Sequence, residues 1–409
     1  MKRPLYINDF AFHCILGGGN MANHHEVLEK LNNAERGEFT MYDVAGVMRP
    51  AASIDPNALP PVADKWFDNR VNRLAQAALS GINGDGLDDT IRKAVEKFGA
   101  DRVGIFIGSC DNGSEASLSA LRCFKETGKY PEGYVLDMQR ADFPARFIAE
   151  RYGIKGTILV HSTACASSAS AFISARNSLY AGHCDVAIVG GVDISSLPVI
   201  LGFASLEAMS DQPTNPFSAN RSGLTLGDAA AFFVVTREPC PELCAEPTLK
   251  VIGCGESADA DHITAPRADG MGAVQAMHAA LEEAGISADQ IGYVNLHGTG
   301  TRLNDSMESK AIAKVFGSEE NGASVPVSST KALTGHSLGA AGALEIAFCC
   351  MSLKNGGVLP AHLNDGVVDP AFPAVHLVAP GEIANGLKYC MSNSFAFGGC
   401  NVSLIVENG

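Results

Sequence analysis

Short apolar runs closed by turn residues recur along the whole chain, with stretches of helical composition between them. The runs VGIFIGS (103–109), TILVHST (157–163), DVAIVGG (185–191), AAFFVV (230–235) and SLIVEN (403–408) read as buried strands. Between them lie helical segments such as 166–182 and 270–285. Near-continuous apolar strands alternating with helices require sheets covered on both faces, which is an α/β architecture. Two segments share one design. Thr157 to Leu179 and Val325 to Leu353 each read as strand, Ser/Thr turn and Ala-rich helix. A duplicated half-molecule accounts for the pair, with a boundary near the Pro/Cys/Glu-rich stretch 238–248, giving halves 1–245 and 246–409.

Composition narrows the function. The formal net charge of −15 opposes long-range attraction to phosphate, so nucleic acid is not an expected ligand. No apolar run reaches the length of a membrane span. The opening MKRPLYINDFAFHCILGGGN is interrupted by Asn8 and Asp9 and lacks a small-residue cleavage site, so it does not read as a signal peptide. A cytoplasmic protein is expected. The twelve cysteines follow no disulfide framework. Cys240 and Cys244 have neither histidine nor a second cysteine pair nearby, and read as part of a surface loop rather than a zinc clip.

Four segments carry chemistry. Cys165 follows a strand and opens a small-residue helix (STACASSASAF), where the helix dipole and free N–H groups are expected to favour a thiolate. His297 precedes a Gly-Thr-Gly-Thr loop whose Thr299 and Thr301 present hydroxyls on alternate positions; Asp305 is read as the N-cap of the next helix. Lys331 and His336 flank a turn, and Glu345 lies in an apolar helix where it needs a cationic partner, with Lys331 the natural one. In NSFAFGGCN, Phe395 and Phe397 precede Gly398-Gly399, reading as a tight turn in an apolar pocket.

In this order the segments resemble the β-ketoacyl-acyl-carrier-protein synthase family, types I and II, over nearly the whole chain. The resemblance implies a thiolase-like fold, with two related α/β halves in five α-β-α-β-α layers, usually dimeric. It implies a decarboxylative condensation of a Cys165-bound acyl group with malonyl-carrier protein. His297 and His336 would stabilise the thioester oxygen. The N–H groups of Cys165 and Phe397 would form an oxyanion hole, with Phe397 also gating the pocket. Lys331, paired with Glu345, would tune the electrostatics. Thr299 and Thr301 would hold the phosphopantetheine arm. Asn295, Glu345, Ser392 and Asn393 match a structural monovalent-cation site, and no other metal or resident cofactor is implied. Acyl carrier protein is acidic, so docking is expected on basic residues, Lys65, Arg70 and Arg73 with Arg122, Lys125 and Lys129.

The pattern departs from the family at Cys110 and Asp111, expected near the dimer interface where the end of the acyl pocket is shaped. Asp228 stands for a usual glutamate, and Cys400 for a commoner threonine. These changes point to a specialised branch, making a polyene or other secondary product, with a homodimer expected and a heterodimer as the variant. Two other readings are set against this one. A degradative thiolase would use a second, late cysteine. A non-catalytic partner subunit that determines chain length would have lost the nucleophile.

Overall fold

Ten strands carry the core, and they fall into two sets of five with the same spatial order. The computed structural model describes residues 3–111, 113–245, 248–318 and 322–409. The first set is β1 (Leu5–Cys14), β2 (Val103–Gly108), β3 (Ile158–His161), β4 (Val186–Asp193) and β5 (Ala229–Thr236). The second is β6 (Leu249–Ala258), β7 (Tyr293–Asn295), β8 (Gly322–Ser328), β9 (Tyr389–Phe395) and β10 (Cys400–Asn408). Across the sheet they run β3-β2-β4-β5-β1 and β8-β7-β9-β10-β6. In each set the second strand pairs in parallel with the third and fourth. The fifth strand is antiparallel to both the fourth and the first. β1 and β6 meet antiparallel at Leu5↔Val251, joining the two sets edge to edge.

Side-chain alternation turns these strands into layers. On β2, Ile105 and Ile107 pack under the helices Arg70–Ser80 and Phe143–Tyr152, while Phe106 points into the centre of the molecule. On β5, Phe232 and Val234 face outward in the same way, and Phe233 and Val235 inward. The second set is covered outside by the helices Met271–Ala284 and Arg302–Phe316. Between the sheets lie two central helices, Ser167–Tyr180 and Ala341–Lys354, each buried along nearly its whole length. The result is five layers, helix–sheet–helix–sheet–helix, which is the thiolase-like arrangement. The half boundary expected between 245 and 246 borders residues 246–247, which lie outside the described residues. Among the described residues no helix is long and apolar enough to cross a membrane.

Small residues make the layers close. A Cβ added at Gly342 would lie 3.0 Å from Ala169 Cβ on the other central helix. On β6, a Cβ at Gly255 would sit 1.9 Å from the carbonyl oxygen of Ala276 on the covering helix. Helix and strand must therefore separate if that glycine gains a side chain. Gly255→Ala is expected to lower stability by about 1–3 kcal/mol in equilibrium denaturation. A value within about 0.5 kcal/mol of the parent would show that this packing is not tight.

Candidate active site

The two central helices start from the same backbone device. Each 14-residue helix is preceded by a three-residue 3-10 turn, Ala164–Ala166 in one half and Leu338–Ala340 in the other. The first residue of each turn is left-handed without being glycine, Ala164 at φ 48° and Leu338 at φ 51°. Such a conformation costs on the order of 1–3 kcal/mol, so the surrounding packing must hold it. Cys165 is the middle residue of the first turn; its counterpart in the second is Gly339.

The turn aims the thiol at two imidazoles. Cys165 Sγ lies 2.9 Å from His336 Nε2. The His297 and His336 rings meet edge to face with centroids 5.3 Å apart. One ligand atom from each of Cys165, His297 and His336 lies within 4.8 Å of the other two, and all three residues are buried. Each histidine is pinned through its backbone. The N–H of His336 donates to Thr225 O at 2.7 Å, and Gly227 N–H donates to His336 O at 3.0 Å, so a strand of the first half fixes a residue of the second. His297 N–H and Gly298 N–H donate to the two oxygens of Glu308, each at 2.7 Å. Sequence reasoning missed Glu308. It sits in the helix Arg302–Phe316, six residues beyond the start, and only its position at i+11 from His297 could have marked it.

Burial sets the protonation states. It holds both imidazoles well below the usual histidine value, and the nearby positive charge of Lys331 acts in the same direction. Both rings are therefore neutral at pH 7. The Cys165 thiol differs from the sequence expectation. Burial pushes it up to about 12, against the opposing pull of Lys331 and of the backbone N–H groups of Phe397 and Cys165. The resting nucleophile is a thiol, because desolvation outweighs the helix end.

Lys331 and Glu345 form a fully buried ion pair, as their sequence context required. Burial raises Glu345 to about 7, and Lys331 opposes that rise. Its second oxygen, Oε2, has no partner among the described residues; neither does Asn295 Oδ1. Asn295 and Ser392 are paired neighbours on β7 and β9, and Asn393 follows on β9. Two orphaned buried oxygens in this set fit a monovalent cation. Asp305 is not a helix cap. The helix begins three residues earlier at Arg302, and Asp305 instead accepts from the N–H groups of Phe217 at 2.8 Å and Gly300 at 3.2 Å. It braces the glycine-threonine loop from inside the first turn.

A cavity of 490 Å³ opens onto this centre, lined by Cys165, His297, His336, Thr299, Thr301, Phe395 and Phe397 among others. The hydroxyls of Thr299 and Thr301 are 3.0 Å apart. The Phe397 ring stacks on Phe203 at the wall, and Phe395 lies against His297. Asp111 is not in this cavity. It lines a second one with Arg70, Glu115 and Met138. Two of the six expected docking residues are otherwise engaged. Arg70 is buried between Asp228 at 2.5 Å and Glu115 at 2.9 Å, and Arg73 holds Asp68 at 2.6 Å. A helix face rich in arginine suggested free charge, but Arg70 is met by carboxylates from distant segments and Arg73 by one just ahead of its own helix. Lys65, Arg122, Lys125 and Lys129 are exposed.

Two measurements check this site. Alkylation of Cys165 by iodoacetamide is expected to keep accelerating as pH rises past 9; a plateau below pH 8 would reveal a resting thiolate. Arg70→Met strands buried Asp228 and should cost about 3–5 kcal/mol in thermal or denaturant unfolding. Arg122→Met, on the surface, should stay within about 0.5 kcal/mol of the parent.

Comparison with known proteins agrees with the geometry. Residues 71–239 match the profile "Beta-ketoacyl synthase, N-terminal domain", and residues 249–365 match "Beta-ketoacyl synthase, C-terminal domain". The chain is 34% identical to 3-oxoacyl-[acyl-carrier-protein] synthase 2 of Vibrio cholerae, covering 81% of this chain and 80% of that one. It is 36% identical to a putative mitochondrial 3-oxoacyl-[acyl-carrier-protein] synthase of Schizosaccharomyces pombe, covering 90% and 85%. Among solved structures it is similar to a chain of the complex of the ketosynthase ApeO with its chain length factor ApeC from Xenorhabdus doucetiae. That match has a TM-score of 0.86 and 35% identity, over 100% of this chain and 98% of the other. The chain belongs to the β-ketoacyl synthase family of acyltransferases.

Proposed function

We propose that this chain is a 3-oxoacyl-acyl-carrier-protein synthase that condenses an acyl group carried on Cys165 with malonyl-carrier protein. The observation that carries the reading is the convergence of one thiol and two neutral imidazoles in a single cavity. In the first half-reaction the S–H proton passes to His336 Nε2 as sulfur attacks the thioester carbonyl. The carrier thiolate leaves and takes that proton. His336 Nδ1 has no partner among the described residues, so neither tautomer is locked. The tetrahedral oxyanion is met by the N–H groups of Cys165 and Phe397, both directed at the thiol region.

In the second half-reaction the malonyl carboxylate leaves as CO₂, and its bonding pair becomes an enolate. N–H groups of His297 and His336 donate to the enolate oxygen. The carbon then attacks the acyl-cysteine, and the Cys165 sulfur departs as a thiolate that takes up a proton from solvent, releasing a 3-oxoacyl thioester. Thr299 and Thr301 would hold the phosphopantetheine arm in the cavity. A monovalent cation held by Asn295, Glu345, Ser392 and Asn393 would balance buried negative charge beside Lys331. No other cofactor enters the reading.

The substrates arrive on acyl carrier protein, docking on the exposed Lys65, Arg122, Lys125 and Lys129. A second subunit is placed on the outer face formed by β3 and the helix Ser114–Thr127. β3 is a sheet edge with exposed Ile158 and Leu159, and the helix buries only Ala120 while exposing Leu121 and Phe124. Unpaired apolar edges of this kind are normally covered. The occupant is another copy of this chain, with a related subunit as the variant. The cysteines form no disulfide among the described residues, which supports a reducing, cytoplasmic setting. The pathway is fatty acid or related polyene or polyketide biosynthesis, and Asp111, Asp228 and Cys400 are the departures that favour a specialised branch. The intact set of Cys165, His297, Lys331 and His336 weighs against a non-catalytic chain-length subunit.

Intact mass after incubation with acyl thioesters should show one adduct, absent in Cys165→Ala. His297→Ala should still acylate but lose malonyl decarboxylation by about 100- to 1,000-fold. Acylation of the parent should persist as pH falls through 6.5, because His336 stays neutral there, and fail only at lower pH. An unmodified parent protein, or an adduct retained in Cys165→Ala, would overturn the assignment.

A further inference from the structure

Three donors suited to a soft metal meet in the main cavity. Cys165 Sγ lies 2.9 Å from His336 Nε2, and one nitrogen of His297 completes a set whose atoms all lie within 4.8 Å of one another. The two rings stand at 86° to each other, so they can address one ion from different directions. All three residues line the 490 Å³ cavity, which gives a cation a path to them and leaves room for a water beside it. Among the described residues no carboxylate belongs to the set. One thiolate and two imidazoles with an open fourth position suit zinc. Magnesium and calcium, which take oxygen ligands, are poorly served.

The fit needs a small adjustment only. Tetrahedral zinc, with Zn–S of about 2.3 Å and Zn–N of about 2.0–2.1 Å, holds sulfur and nitrogen roughly 3.5 Å apart. The 2.9 Å contact must therefore widen by about 0.6 Å, which small torsional shifts supply. The surroundings argue against a resident metal. Histidines that hold a permanent ion donate their other N–H to a carboxylate, carbonyl or water. Here Nδ1 of His336 and Nδ1 of His297 are both buried, with no partner among the described residues. The ammonium of Lys331 also acts on both rings and opposes added positive charge between them. Such an ion binds and leaves again.

We propose that Cys165, His297 and His336 form a reversible inhibitory site for zinc. On binding, the thiol gives its proton to solvent and bonds to the metal as a thiolate, while each imidazole contributes a neutral nitrogen lone pair. The metal then holds the sulfur that would attack a thioester. It also engages both rings that would donate to the enolate oxygen. Condensation stops until the ion is withdrawn. The metal site stands on the donor geometry, whereas its inhibitory effect rests on the condensing-enzyme reading.

The test titrates the metal-free protein with zinc against a chromogenic chelator, and repeats the titration with cobalt(II). One ion per chain should bind at micromolar free zinc. Cobalt should give a thiolate-to-metal charge-transfer band and the intense visible absorption of a four-coordinate ion. Cys165→Ala, His297→Ala and His336→Ala should each weaken binding by about 10-fold or more, since loss of even an outer-shell partner costs that much. The parent blocked at Cys165 with iodoacetamide should bind as weakly, which keeps the test decisive should a variant fail to fold. Zinc should also halt Cys165 acylation by the N-acetylcysteamine thioester of octanoate, and a chelator should restore it. No uptake at micromolar zinc, uptake unchanged by blocking Cys165, or a cobalt spectrum unchanged in His297→Ala overturns the site. Zinc bound there with acylation undiminished overturns the inhibition. A metal-free parent that never acylates defeats the condensing-enzyme reading, while the titration still decides the metal site.

Discussion

The crossing of the two central helices decides where every reacting group lies. Ser167–Tyr180 and Ala341–Lys354 touch through residues too small to hold them apart, and Ala343 N–H donates to the Ser168 hydroxyl at 2.9 Å. The thiol stands at the head of the first helix, and His336 lies just ahead of the second. Larger side chains at Ala169 or Gly342 would separate the sheets, and with them the 2.9 Å contact of sulfur and imidazole. The many small residues of the chain thus have a geometric purpose. They set the distance between two halves whose chemistry must meet.

Electrostatics within this crossing follow from deep burial and the buried cation Lys331 at the centre. Lys331 disfavours protonation of both histidines while pulling the thiol toward its anion. Burial disfavours every charged form, so the imidazoles rest neutral and the thiol rests protonated. The nucleophile is accordingly activated by a proton acceptor at contact distance. A standing thiolate would need a wetter or more positive site than this one.

Much of this was legible from local pattern. Strand positions, the repeated strand–turn–helix and the Cys–His–His set all leave marks within a few consecutive residues. The Lys331–Glu345 pair followed from the impossibility of an unpaired carboxylate in an apolar helix. What escaped depends on residues far apart in the chain. Arg70 reads as surface charge until Asp228, 158 positions away, closes on it. Glu308 supports His297 only because the helix folds back under its own loop. Asp305 sits in the first turn rather than capping it, since the helix starts at Arg302 without a side-chain cap. The thiol's protonation state needed the degree of burial, which no helix-terminus argument supplies.

The second turn, at Leu338–Ala340, carries a further consequence. It repeats the backbone of the first, yet offers glycine where the other offers sulfur, and its Gly339 N–H is occupied by the Asp193 carboxylate at 2.7 Å. A Cβ at that glycine would fall 2.6 Å from the same carboxylate. One turn therefore presents the attacking atom, while the matching turn, which follows His336, has its own elbow plugged by an internal acid.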